Sequence, residues 1–137
     1  MASRSVSDLH PAMIPKANAL LYSLTHLGID HVITCTLRSL HEQAQLYEQG
    51  RSKPGVIVTW AKPGDSAHNF GLGMDVYPLI NGKLCTSFKE GDEVTDPIWQ
   101  VFGKAVRDAG LAWGGDFKGK ADAPHCQHPD WKVLSRE

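Results

Sequence analysis

His68 and Asp75 stand seven positions apart in Ser66-Ala-His68-Asn-Phe-Gly71-Leu-Gly73-Met-Asp75, and a second acid–histidine pair, Asp122-Ala-Pro-His125, follows towards the C-terminus. Imidazole nitrogen and carboxylate oxygen are both zinc ligands, bonding at about 2.0–2.2 Å. Seven extended residues would cover about 23 Å, so His68 and Asp75 meet at one ion only where the chain folds back between them. Gly71 and Gly73 can take the backbone angles of such a bend. With His125 as third ligand, two histidines and a carboxylate leave a fourth tetrahedral position for water, the arrangement of a catalytic rather than a structural zinc. Asp122 would lie close to the metal without ligating it, placed to take a proton from water attacking a peptide carbonyl. Spacing alone leaves the other reading open, because seven histidines in 137 residues also pair by chance as exposed or hydrogen-bonded side chains.

The elements that must position these groups read as an α+β fold, with helices packed on one side of a small antiparallel sheet. A first helix spans about Ala12 to Leu27, with Leu20, Leu21, Leu24 and Leu27 on one face and Gly28 as its stop. His31 to Thr36 is a β-branched strand. A second helix starts at Ser39 with Glu42 three residues on, a capping box, and ends at Gly50; its apolar side is Ala44, Leu46 and Tyr47. Val56 to Thr59 reads as a short strand, and Trp60 to Gly71 as an irregular loop. Met74 to Ile80 is a strand leading through Asn81-Gly82, a hairpin signal, into Lys83 to Cys85. Thr86 to Thr95 reads as a surface excursion whose loop contacts the substrate. A third helix runs from Asp96 as N-cap, with Pro97 in its first turn, to about Ala109. Leu111 to Glu137 lacks helix signals.

At 137 residues the chain reads as one domain, 1–137, able to bury one core. A net charge of -1 gives no field favouring nucleic acid or an anionic membrane. The first residues lack the pattern of a secretory signal, so the expected starting compartment is a cytoplasm. No apolar run is long enough to span a bilayer, and Trp131 to Glu137 is too short for a membrane-disrupting helix. Cys35, Cys85 and Cys126 are odd in number with no Cys-x-x-Cys, and are expected as buried free thiols. A Ser66 nucleophile served by His68 is disfavoured, because no Gly-x-Ser-x-Gly elbow is present. Trp113-Gly-Gly-Asp116 reads as structural, with Trp113 in the core and Asp116 bonding nearby backbone. Trp60 and Tyr77 flank the proposed cleft in sequence.

Ser66-x-His68-x-x-Gly71-x-x-x-Asp75 followed by Asp122-x-x-His125 resembles the signature of the D-alanyl-D-alanine carboxypeptidase/L-alanyl-D-glutamate endopeptidase family of zinc peptidases (VanY/VanX-like). Arg38-Ser-Leu-His-Glu42-Gln43-Ala-Gln-Leu46-Tyr47-x-x-Gly50-Arg51, Pro54-Gly55-x-x-Val58-Thr59-x-Ala61 and Trp113-Gly114-Gly115-Asp116-Phe117 are similar to further blocks of that family. The blocks fall in the family's order from about Thr34 to Gln127, and are most similar to the phage endolysin branch. The resemblance implies a zinc cofactor held by His68, Asp75 and His125, Asp122 as catalytic acid/base, Arg38 stabilising the oxyanion, and Ser66 supporting the site or substrate. Two positions depart from the pattern: Met74 stands where relatives usually have Ala, and Cys126 where they usually have Phe. Cys126 is expected to face away from the metal, since neighbours on an extended segment point oppositely. His128 is a rival to His125 that lacks the Asp122 spacing.

The function implied is hydrolysis of peptidoglycan stem peptides by a monomeric endolysin, cutting between L-alanine and D-glutamate after holin-type release from the host cytoplasm. The alternatives are a D-Ala-D-Ala carboxypeptidase or dipeptidase of wall remodelling, and a metal-containing wall-binding module without catalysis. No nucleic-acid partner, no stable membrane association and no separate wall-binding domain are expected.

Overall fold

The computed structural model describes residues 1–137. Helix α1 (Ile14–His26) packs Met13, Ala17, Leu20 and Leu24, spaced three or four apart, into the core without exposure. Leu27 at its end is exposed and Leu21 only partly covered, so the apolar stripe is narrower than the run of leucines suggested. Gly28 follows in the left-handed conformation. Strand β1 (His31–Cys35) leads to α2 (Leu40–Glu48), where Ser39 Oγ accepts the Glu42 backbone N–H at 3.0 Å, as the capping box predicts. The fully buried residue of α2 is Gln43 rather than Ala44, Leu46 or Tyr47.

Strand β2 (Gly73–Ile80) is the centre of the sheet. It pairs antiparallel with β1 on one side and β5 (His125–Gln127) on the other, and β5 pairs in turn with β4 (Ala112–Trp113). β3 (Lys83–Leu84) closes the expected hairpin, with Asn81 and Gly82 both at positive φ. Alternation along β2 divides the molecule. Met74, Val76 and Pro78 point into the core, while Asp75 and Tyr77 point to the other face. Helix α3 (Thr95–Asp108) lays Trp99, Phe102 and Val106 against α1 and the core face. Trp113, buried as expected, joins them and donates Nε1–H to the Ala123 carbonyl at 2.7 Å.

Three expectations need correction. Val56 to Thr59 is extended but not a strand, because no neighbouring strand offers it a ladder; side chains of Gln49 and Arg51 hold its carbonyls instead. Asp96 lies inside α3 and does not cap it. Asp92 does so, its Oδ1 accepting the N–H groups of Val94 (3.0 Å) and Thr95 (2.8 Å). Asp116 bonds the Arg107 guanidinium at 2.7 and 2.9 Å rather than backbone. A short helix, α4 (Trp131–Leu134), ends the chain, and no helix is long and apolar enough to cross a membrane.

Candidate functional site

His125 on β5 lies directly across the ladder from Asp75 on β2, and Cys35 of β1 faces Asp75 from the opposite side. A register shift between Ile33 and Cys35 brings Cys35 into that row. His68 comes from a single 3-10 turn, Ala67–Phe70, whose start is capped by Ser66 Oγ accepting the His68 N–H at 3.3 Å. The turn ends at Gly71, whose φ of 69° is the reversal that the spacing of His68 and Asp75 demands. A Cβ on Gly71 would also come within 2.7 Å of the His10 nitrogen. Gly73 has a different role from the one expected: its φ is not positive, and the glycine leaves room for the ring of His125, whose Cε1 would lie 3.1 Å from an added Cβ.

The chain thus converges His68 Nε2 and His125 Nδ1 on one oxygen of Asp75, at 3.1 and 3.0 Å. The outer nitrogens are also engaged: His68 Nδ1 faces the Thr36 carbonyl at 2.9 Å, and His125 Nε2 faces Gln127 Oε1 at 2.8 Å. Burial alone would lower the His68 imidazole, but hydrogen bonds to Asp75 and Cys35 and the Asp75 charge push it up to about 10. Burial alone would raise the Asp75 carboxyl, yet its bonds from His125 and His68 hold it well below the carboxylate range.

Asp122 and His125 are the first and last residues of a turn closed by the His125 N–H on the Asp122 carbonyl at 3.0 Å, which accounts for their spacing. Carboxylate oxygens of Asp122 and Asp75 and a ring nitrogen of His125 lie within 4.8 Å of one another. The Asp122 side chain makes no hydrogen bond, and desolvation in the cleft followed by the Asp75 charge pushes its carboxyl up. Its carboxylate is nonetheless open to solvent at the cleft mouth, so that upward push is a modest one. Arg38 lines the same cleft, braced by Nη1 donating to Gln43 Oε1 at 3.0 Å and Nη2 to Cys35 Sγ at 3.5 Å.

Two neighbours fall outside the site. Cys126 is fully buried on the core face, with Sγ directed to the Met74 carbonyl at 3.4 Å, as the strand alternation requires. His128 turns back, its Nδ1 accepting the Asp130 N–H, and does not rival His125. All three cysteines are free and buried.

The cleft is about 910 Å³ and includes Trp60 and Tyr77 in its walls. One rim is the extended 56–61 segment, pinned by Arg51 between Tyr47 and Thr59; Lys120 reaches across to lie 4.1 Å from the Trp60 ring centre. The Thr86 to Thr95 loop is not at the cleft. Phe88 packs on Trp99 and Trp113, and the Ser87 carbonyl accepts Trp99 Nε1–H at 2.8 Å. Gln43 and Gln127 are the residues that sequence reasoning passed over. Gln43 was within a matched block and Gln127 two places from His125 on the same strand face, but neither is a residue type that signals chemistry by itself.

Two imidazoles and a carboxylate, their outer nitrogens bonded to acceptors and their inner atoms facing one another, suit a borderline cation such as zinc. Cys35 Sγ lies by the outer nitrogen of His68, 3.5 Å from Nδ1, and with His68 and Asp75 forms a second set of donor atoms within 4.8 Å of one another. Fold and site together define the class: an α+β protein with an open His/Asp/His centre at the floor of a cleft and a free carboxylate beside it.

The family follows. A family model described as VanY, D-alanyl-D-alanine carboxypeptidase, matches residues 6–109, which include His68 and Asp75. The peptidoglycan L-alanyl-D-glutamate endopeptidase CwlK of Bacillus subtilis is 39% identical over 123 residues, 88% of this chain and 74% of that protein. The chain belongs to the VanY D-alanyl-D-alanine carboxypeptidase family of peptidoglycan peptidases. Among solved structures, the L-Ala D-Glu endopeptidase ChiX of Serratia marcescens shares the fold with a TM-score of 0.66 at 23% identity, over 97% of this chain and 92% of that one. The vancomycin resistance D,D-pentapeptidase VanY of a VanB-type cassette, solved in complex with Zn(II), does so with a TM-score of 0.62 at 13% identity, over 93% and 76%.

Proposed function

We propose that the chain is a zinc peptidase that hydrolyses the bond between L-alanine and D-glutamate in peptidoglycan stem peptides. The observation that carries the hydrolytic reading is the convergence of His68 Nε2 and His125 Nδ1 on one Asp75 oxygen, with the unpartnered Asp122 carboxylate within 4.8 Å of Asp75 and His125. His68 Nε2, an Asp75 oxygen and His125 Nδ1 would hold the ion, which when bound supplies Lewis acidity towards a carbonyl and acidifies water. Asp122 takes the proton of the attacking water and returns it to the leaving amine, its carboxylate lining the cleft without a hydrogen-bond partner. Arg38, held by Gln43, offers its N–H fork to the developing oxyanion. Ser66 acts through the His68 turn that it caps.

The substrate assignment draws on the similarity to CwlK and on the cleft itself, where Arg38, Lys120 and Lys132 form no ion pair and suit a peptide bearing free carboxylates. The same cations would hold a terminal carboxylate, and the description of the matching family favours D-Ala-D-Ala carboxypeptidase as the second reading. Digestion of purified peptidoglycan by zinc-loaded protein, with new termini read by mass spectrometry, separates them. New N-terminal D-glutamate is expected; release of D-alanine alone overturns the endopeptidase assignment. The finer biological reading, an endolysin freed through a holin during phage-induced host lysis, rests on the resemblance of the ordered blocks to that branch. Cytoplasmic expression in a Gram-negative host should then lyse the cells only when a holin is co-expressed.

A further inference from the structure

The two histidines are held from behind by acceptors of different kinds. His68 Nδ1 faces a backbone carbonyl, which no substitution removes. His125 Nε2 faces a side chain, Gln127 Oε1, at 2.8 Å, while Nδ1 faces Asp75 Oδ1 at 3.0 Å. A neutral imidazole carries one proton, and only its bare nitrogen ligates a cation. Asp75 draws that proton to Nδ1, on the cleft side, where it obstructs a ligand bond. Gln127 Oε1 draws it to Nε2 and clears Nδ1. Strand geometry makes the contact: residues two apart on β5 share a face, while Cys126 between them is turned into the core. The Gln127 side chain makes no other hydrogen bond.

We propose that Gln127 is a positioning residue that fixes the tautomer and ring direction of His125 and so sets the affinity for zinc. The proposal rests on His125 being a ligand, not on which bond the protein cuts. Its test is the zinc Kd of the full chain by competition with a chromophoric chelator, alongside the melting temperature of each metal-free protein. Gln127→Met keeps length and loses the acceptor, and should bind zinc about 10–100-fold more weakly with an unchanged metal-free melting temperature. Gln127→Glu restores an acceptor and should bind within about threefold of the parent. A Met variant within about twofold of the parent, or a Glu variant as weak as the Met variant, overturns the proposal. If the metal-free Met variant melts lower, the Glu variant decides. Affinity regained without stability supports positioning; the two regained together show a merely structural role and overturn it. A parent that binds zinc yet cleaves no wall peptide refutes the function above and leaves this measurement intact.

Discussion

Met74 and Cys126, the two residues at which the chain departs from the pattern it resembles, are direct partners across the β2–β5 ladder. Both are without exposure on the core face, and Cys126 Sγ lies 3.4 Å from the Met74 carbonyl. The pattern has a small residue at 74 and a large one at 126; here the large one is at 74 and the small one at 126. That is a volume exchange between touching positions, so each residue should be tolerated because of the other. Met74→Ala alone leaves a cavity and should cost about 2–4 kcal/mol. Cys126→Phe alone overfills a closed core and should cost about 1–3 kcal/mol or more. The double variant puts the Phe ring into the space Met74 vacates, and its loss should fall short of the sum of the singles by about 1–3 kcal/mol. Urea denaturation of the four metal-free proteins, with m-values compared, measures the cycle. Losses that add to within about 0.5 kcal/mol would show that the two sites do not share volume, and the exchange argument would fail.

Gln43→Leu should remove an acceptor from the Arg38 guanidinium and a donor from the Ala61 carbonyl, at about 2–4 kcal/mol less roughly 1 kcal/mol regained by apolar burial. At about 3.5 °C per kcal/mol for a chain of this size, thermal melting should fall by roughly 4–10 °C, and turnover should fall with it. A melting loss with turnover unchanged would separate Gln43 from Arg38. Asp122→Asn should lose about 10²–10⁴-fold in kcat while its zinc Kd stays near the parent's, and equal losses in both would make it a ligand. Asp92 caps α3 with its carboxylate held below the ordinary value by bonds from Thr95 and Val94, so this support exists above that value and fades as pH falls through the lowered one. The melting deficit of Asp92→Ala should therefore be full at neutral pH and shrink in acid, and a deficit independent of pH would refute the assignment.

Local signals carried the long elements and picked out the candidate ligands. Ser39 and Glu42 marked the start of α2 because a cap is a contact within four residues, and Asn81-Gly82 marked its hairpin for the same reason. Strands β4 and β5 have two and three residues, too few for any periodicity; β5 exists because β2 is in place to pair with it, and β4 because β5 is. Val56 to Thr59 shows the converse, since its β-branched residues meet no partner and the segment serves as a rim. The Thr86 to Thr95 loop looked available for substrate because nothing local reveals that Phe88 and the Ser87 carbonyl are committed to Trp99.

For the site itself, type and spacing pointed to His68, Asp75, His125 and Asp122, but not to what holds them. Their supports are a carbonyl of Thr36, the amide of Gln127 and the missing Cβ of Gly73, while the amide of Gln43 braces Arg38 beside them. Such groups carry no charge and titrate nowhere useful, so composition gives them no weight. One rule does reach them. On a strand with a candidate ligand, residue i+2 shares its face and residue i+1 does not. Applied to His125, that rule turns Cys126, the more reactive neighbour, into the core and brings Gln127, the inert one, against the outer nitrogen of the His125 ring. Geometry therefore outranks reactivity in choosing which neighbour of a candidate ligand shares its face of the strand.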